Sequence, residues 1–133
     1  MVGLQAAGKS TYCARVFGLS HEVVSKDRLR NNGRPQRRQM RLIQEALERG
    51  RSVVVDNTNA SCQDRAPLIE IAHRFGARVR AVYLDTPVLL CDERNAQRPD
   101  KQRVPEVGLF STRKIFVAPS VEEGFDEVEV IRS

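Results

Sequence analysis

Tryptophan is absent from these 133 residues, and aromatics are limited to two tyrosines and five phenylalanines. None is interleaved with a basic patch, so no platform for stacking unpaired bases is evident. No apolar run approaches the roughly 18 residues that span a bilayer. The N-terminus also lacks the charged-then-apolar order of a secretory signal. The expectation is a cytoplasmic protein without a membrane partner. Cys13, Cys62 and Cys91 are odd in number and widely separated, with no C-x-x-C pair and no paired histidines to complete a zinc site. They read as reduced, partly buried thiols without a catalytic role. His21 and His73 are equally isolated.

With 41% hydrophobic and 29% charged residues, the composition is that of a soluble globular chain. A length of 133 residues suits one domain with a real core, read as spanning 1–133. The net charge of +5, carried mostly by arginine, favours an anionic partner, because the planar guanidinium fork matches phosphate. Charge alone does not choose among ATP, nucleic acid and a phosphorylated metabolite.

Strand-like and helix-like segments alternate. Ser10 to Phe17 reads as a helix ended near Gly18, and Glu22 to Ser25 as a short β-rich run. Pro35 to Arg49 is amphipathic, with Met40, Ile43, Ala46 and Leu47 on one face, Pro35 at its start and Gly50 past its end. Ser52 to Val55 is a buried strand that stops at Asp56. A helix through Leu68, Ile69, Ala72 and Phe75 follows, then a strand from Val79 to Leu84 and a helix from Val88 to about Arg98. After a charged loop to Pro105 come a short helix near Val107 to Ile115 and a last strand, Glu127 to Ile131. Short apolar strands between helices imply an α/β fold with a mainly parallel sheet covered on both faces.

Gly3-Leu4-Gln5-Ala6-Ala7-Gly8-Lys9-Ser10 fills every fixed position of G-x-x-x-x-G-K-[ST]. A chance match in a chain this long is on the order of a few per thousand. Glycines let successive N–H groups turn toward phosphate oxygens, and the following helix adds its positive end. Lys9 is placed to neutralise the β and γ phosphates of ATP, Ser10 to ligate Mg²⁺, and Thr11 to bond the α phosphate. Such a loop normally follows a buried central strand, yet only Met1 and Val2 precede Gly3. The first strand of this three-layer P-loop sandwich is therefore expected to be truncated, or Met1 to be internal to a longer chain. A gap with unpaired edges on both neighbouring strands should result.

Asp27 falls at the carboxyl end of the second strand, the edge where open α/β sheets bind ligands, and Arg30 lies about one helical turn on. Taken alone, the pair reads first as a helix cap with a solvent-facing arginine. Placed beside bound ATP, the carboxylate can take a proton from an attacking hydroxyl while the arginine holds an anionic acceptor.

Four segments, GLQAAGKST from Gly3, SKDRLR from Ser25, VVVDNTN from Val53 and RNAQRPDKQRVP from Arg94, resemble 5′-hydroxyl polynucleotide kinases in order and spacing. The tail FVAPSVEEGF from Phe116 is similar to the end of the kinase domain in animal kinase/phosphatases. The resemblance implies that Asp27 is the general base and that Arg30 binds the phosphate next to the acceptor nucleoside. It implies that one of Asp56 and Asn57 supports the Mg²⁺ shell or orients Ser10. We assign Asp56 to the metal and Asn57 to the substrate. Arg94 and Arg98, four apart on one helix face, look like lid arginines that close on the phosphates, within a lid around 94–105. Asp92 and Glu93 leave open a plain surface role for both.

The expected function is an ATP-dependent phosphotransferase acting on a hydroxyl, with the 5′-OH of DNA or RNA as acceptor. A small-molecule kinase and a non-catalytic ATP switch are the alternatives. With so few aromatics, contact to nucleic acid should run chiefly through phosphates and be sensitive to salt.

Overall fold

A computed structural model describes residues 1–29 and 33–132. Along the chain these form α1 (Lys9–Phe17), β1 (Glu22–Val24), α2 (Pro35–Glu48), β2 (Val53–Val55), α3 (Cys62–Arg74), β3 (Arg80–Asp85), α4 (Val88–Ala96), α5 (Glu106–Ile115) and β4 (Glu127–Arg132). Short 3-10 helices at Lys26–Leu29 and Val121–Glu123 were not foreseen from the pattern.

The strands pair in parallel, β1 with β2 and β3 with β4, registering Glu22 with Val53 and Arg80 with Glu127. Met1 and Val2 lie between the two pairs. The Val2 N–H donates to the Val82 carbonyl at 2.8 Å, and the Leu84 N–H donates to the Val2 carbonyl at 2.9 Å. On the other side the Met1 amine donates to the Val55 carbonyl at 2.9 Å. The expected gap is present beside this two-residue bridge, as a cleft of about 490 Å³ between the facing edges of β2 and β3. Val53, Val54, Ala81 and Val82 line it.

Helices flank the strands through two apolar clusters. One joins Cys13 and Phe17 of α1 and Cys91 of α4 to Met1, Val54, Val82 and Leu84. The other joins Ile43 of α2 and Ile71 of α3 to Val24, with Met40 and Leu47 packed against it. The foreseen stripe of α2 therefore faces the strands, and its opposite face carries arginines. Each buried aliphatic side chain contributes roughly 1.5–3 kcal/mol relative to exposure.

Three local signals explain the helix ends. Gly18 follows α1 where a Cβ would sit 2.4 Å from the Ala14 carbonyl oxygen, so no larger residue fits without movement. At α3, Ser61 accepts from the Asp64 N–H while the Asp64 carboxylate accepts from the Ser61 N–H. Such a cap is typically worth about 1 kcal/mol. Pro99 disfavours helical backbone at Arg98, so α4 stops at Ala96 and Arg98 lies beyond it rather than on the same helix face as Arg94.

Cys13 and Cys91 are buried, and burial pushes the Cys13 thiol up to about 11. Cys62 is exposed rather than partly buried, because it occupies the first position of α3 on the solvent side.

Candidate nucleotide and acceptor site

The loop from Gly3 to Gly8 curls between the strand ends and α1. Ala6 and Gly8 both have left-handed backbone, at φ 63° and 100°. Gly8 adopts this freely, whereas an L-residue there costs roughly 1–2 kcal/mol. Ala6 thus stores strain in the loop, a cost the sequence motif did not reveal. No side chain caps the start of α1, so its first N–H groups remain open toward the loop concavity.

Several contacts fix this loop from outside. The Gly3 N–H donates to the Thr58 carbonyl at 3.1 Å. Thr86 Oγ1 donates to the Ala7 carbonyl at 2.9 Å, and Arg94 Nη1 reaches the same oxygen at 3.3 Å. Gln5 Nε2 donates to Thr112 Oγ1 on α5 at 2.6 Å. Lys9 is buried, and its Nζ donates to the Leu4 carbonyl at 2.7 Å. Burial lowers its pKa to about 8; the carboxylate of Asp56 opposes that shift and Arg98 adds to it. An arriving phosphate would supply the counter-charge that this ammonium lacks.

Ser10 Oγ donates to Asp56 Oδ2 at 2.8 Å, which joins the loop to the end of β2. Asn57 turns the other way. Its Oδ1 accepts from the Lys26 N–H at 2.9 Å, and its Nδ2 donates to Gln39 Oε1 at 2.6 Å. Asp56 is therefore the residue beside Ser10, while Asn57 ties Lys26–Leu29 to α2. The Ser10 hydroxyl and Asp56 carboxylate are hard oxygen donors within reach of a common Mg²⁺, an ion that usually takes few protein ligands and completes its shell with phosphate and water. These residues fit the ion.

Lys9, Ser10, Thr11, Asp27, Asp56 and Arg98 all line one cavity of about 840 Å³. Asp27 is exposed, on the 3-10 helix that follows β1, and its N–H is held by Ser25 Oγ at 3.2 Å. The cavity brings Asp27 to the phosphate loop, as expected from the strand-end position. Arg98 lines it and Arg94 does not, since Arg94 is spent on the loop's own carbonyl. Arg30 lies outside the described residues.

The segment after Arg98 is closed at its base. Asn95 is buried, with Nδ2 donating to the Val104 carbonyl at 2.9 Å and Oδ1 accepting from the Val104 N–H at 3.0 Å. Arg103 further donates to the Arg98 carbonyl at 2.8 Å and pairs with Asp100.

Sequence reasoning missed a buried clamp behind the site. Arg65, 1% exposed, makes a two-pronged pair with Glu123 at 2.9 and 3.0 Å. Its Nη1 also donates to the carbonyls of Asn59 and Val117, at 2.8 and 2.9 Å. It thus fastens the loop after Asp56 to the tail. Burial pushes the Glu123 carboxyl up, but the Arg65 guanidinium and the Ser120 N–H more than offset this, holding it below its ordinary value. No local pattern marks partners 58 residues apart.

An AAA domain family model matches residues 1–114. The chain belongs to this AAA domain family. It is 31% identical to the bifunctional polynucleotide phosphatase/kinase of Schizosaccharomyces pombe, across 98% of this chain and 32% of that protein. A putative bifunctional polynucleotide phosphatase/kinase of Acanthamoeba polyphaga mimivirus is 28% identical, with the same shares covered. The chain therefore spans about a third of the length of these relatives. In three dimensions it resembles Chaetomium thermophilum Kti12, solved with ADP-AlF3, at a TM-score of 0.76 and 13% identity, covering 98% of this chain and 86% of that one. The P-loop α/β fold foreseen from the sequence is the observed fold.

Proposed function

We propose that this AAA-family chain is an ATP-dependent kinase that transfers the γ-phosphate to the 5′-hydroxyl of a polynucleotide. The observation that carries the reading is the shared cavity, in which the Asp27 carboxylate opens onto the same space as Lys9, Ser10 and Arg98. Similarity to two polynucleotide phosphatase/kinases supports the acceptor class.

The loop N–H groups and Lys9 hold the β and γ phosphates. Asp27 takes the proton of the acceptor hydroxyl as its oxygen bonds to the γ phosphorus. The bond from that phosphorus to the β–γ bridging oxygen breaks, and ADP leaves. Ser10 and Asp56 would hold Mg²⁺, which when bound offsets charge on the β and γ oxygens. Arg98, within a lid around 94–105, faces the transferring group, while Arg94 braces the loop that carries it. Arg30 completes the acceptor side as the partner of an adjacent phosphate. Asn57 acts on the substrate indirectly, by positioning the Lys26–Leu29 turn. Residues 1–133 work as one kinase-like unit, in a cytoplasmic setting where the free cysteines stay reduced.

The test follows labelled γ-phosphate onto a 5′-hydroxyl oligonucleotide and, in parallel, onto nucleosides and sugars. The oligonucleotide should be the preferred acceptor, and Asp27→Asn should lower its turnover about 10²–10⁴-fold with ATP affinity unchanged. Labelling of a sugar or nucleoside in its place would overturn the acceptor assignment. Full turnover by Asp27→Asn would remove the base.

A further inference from the structure

On the solvent face of α2, Arg34, Arg37, Arg38 and Arg41 recur at intervals of three and four residues, which places them along one side of the helix. The nine residues from Gly33 to Arg41 contain four arginines and no acid, against a net charge of +5 for the whole chain. Across a groove of about 800 Å³, Arg74 of α3 faces the same space. The groove floor is formed by Met40 and Ile71. Among the described residues, no ion pair involves Arg37, Arg38, Arg41 or Arg74. Glu45 and Glu48 close the far end, so the positive field is confined to the end of α2 nearest the site. That end adjoins the acceptor turn, because α2 packs on the Lys26–Leu29 helix that carries Asp27. Asn57 also bonds to both Lys26 and Gln39 of α2.

We propose that this arginine-lined groove is a track for the phosphate backbone of a single-stranded polynucleotide whose 5′ end lies at Asp27. The proposal rests on the polynucleotide reading above and extends it to residues outside the nucleotide cavity. The occupant follows from the chemistry. The guanidiniums of Arg37, Arg38, Arg41 and Arg74, in no ion pair among the described residues, suit phosphate oxygens. The floor is half-buried or buried and offers no exposed apolar side chain to insert in a lipid surface. Among the described residues no aromatic lines the groove, which leaves the bases unread and the contacts electrostatic. From Arg34 to Arg41 the helix rises about 10 Å. A strand advancing about 3.4 Å per nucleotide would bring two to three phosphates past that length.

The experiment compares the wild-type chain with Arg37→Ala/Arg38→Ala/Arg41→Ala and with the matching triple lysine variant. Binding of a fluorescein-labelled 12-nucleotide 5′-hydroxyl strand is followed by anisotropy from 50 to 200 mM salt, with ATP binding as the check on folding. The alanine variant should bind the strand at least 10-fold more weakly at 50 mM salt. Its slope of log affinity against log salt should be shallower by about 2, since each phosphate contact on a single strand contributes about 0.7. The lysine variant should keep most of the slope. An unchanged slope in the alanine variant overturns the track, as does absence of oligonucleotide binding by the wild type. Equal competition by poly-glutamate or by anionic vesicles overturns the choice of occupant. Strand binding through these arginines without transfer to the 5′-hydroxyl would instead defeat the kinase reading and leave the groove standing.

Discussion

The two sides of the cavity are built in opposite ways. On the donor side, the loop from Gly3 to Ser10 is held by Thr58, Thr86, Arg94, Asp56 and Thr112, and Lys9 is buried. On the acceptor side, Asp27 is exposed on a four-residue 3-10 helix, and the groove beyond it is lined by arginines, of which Arg37, Arg38, Arg41 and Arg74 have no ion pair among the described residues. In the proposed reading the donor side is pre-organised around one ligand shape, the triphosphate. The acceptor side, in the same reading, offers charge and a base with little enclosure, which suits a long, flexible partner. Substitutions on the donor side should therefore cost both chemistry and structure, whereas those on the acceptor side should cost chemistry alone.

The largest break in that contrast comes from Lys9→Ala. Removal of the buried ammonium should weaken nucleotide binding and lower transfer on the order of 10²–10³-fold, the scale of losing one donor to developing charge. Titration of a fluorescent ATP analogue together with single-turnover transfer measures both. If affinity and transfer persist, the donor side does not work through this loop.

A sharper separation comes from stability. Glu123→Ala leaves Arg65 buried with its two carbonyl acceptors but without its carboxylate. Breaking a buried pair in this way typically costs about 3–5 kcal/mol. Asp27→Asn, on an exposed turn, should change stability by less than about 0.5 kcal/mol. Urea unfolding of the two variants side by side checks the difference. Equal midpoints would show that the tail does not support the loop after Asp56.

The same asymmetry governs what the sequence revealed. The phosphate loop is legible because its chemistry demands fixed residue types at fixed spacing, and Lys9 and Ser10 stand where that pattern puts them. Asp56 and Asn57 were ambiguous as neighbours in sequence, and only backbone direction at the end of β2 sends one to Ser10 and the other to Lys26. Arg94 and Arg98 looked equivalent at a spacing of four, but Pro99 ends the helix between their roles. The apolar spacing marked α3 only through Leu68, Ile69, Ala72 and Phe75, whereas the helix begins at Cys62 behind the Ser61 cap and carries Pro67 inside it. Gln39 is buried on a helix whose pattern shows an apolar stripe, because its amide answers Asn57 rather than solvent. Arg65 with Glu123 is a long-range solution to burying a charge, and nothing local announces it.

The finest distinction between the two sides is pH. Glu123 titrates below its ordinary value in the folded chain, so as pH falls the unfolded chain takes up its proton first. Stability from this carboxylate is fully present above its unfolded pKa near 4.5, and it drains away as pH drops through the lower folded value. Glu123→Gln keeps an oxygen for Arg65 but cannot titrate. Its unfolding midpoint should already be lower at pH 7, and it should decline less steeply than the wild type between about pH 5 and pH 3. Asp27→Asn, on the exposed turn and outside the clamp, serves as the reference substitution. Urea midpoints at several pH values for the three proteins decide the matter. Parallel acid limbs for Glu123→Gln and the wild type would mean that the clamp does not couple protonation to folding, and that the rigidity of the donor side comes from the loop's own hydrogen bonds.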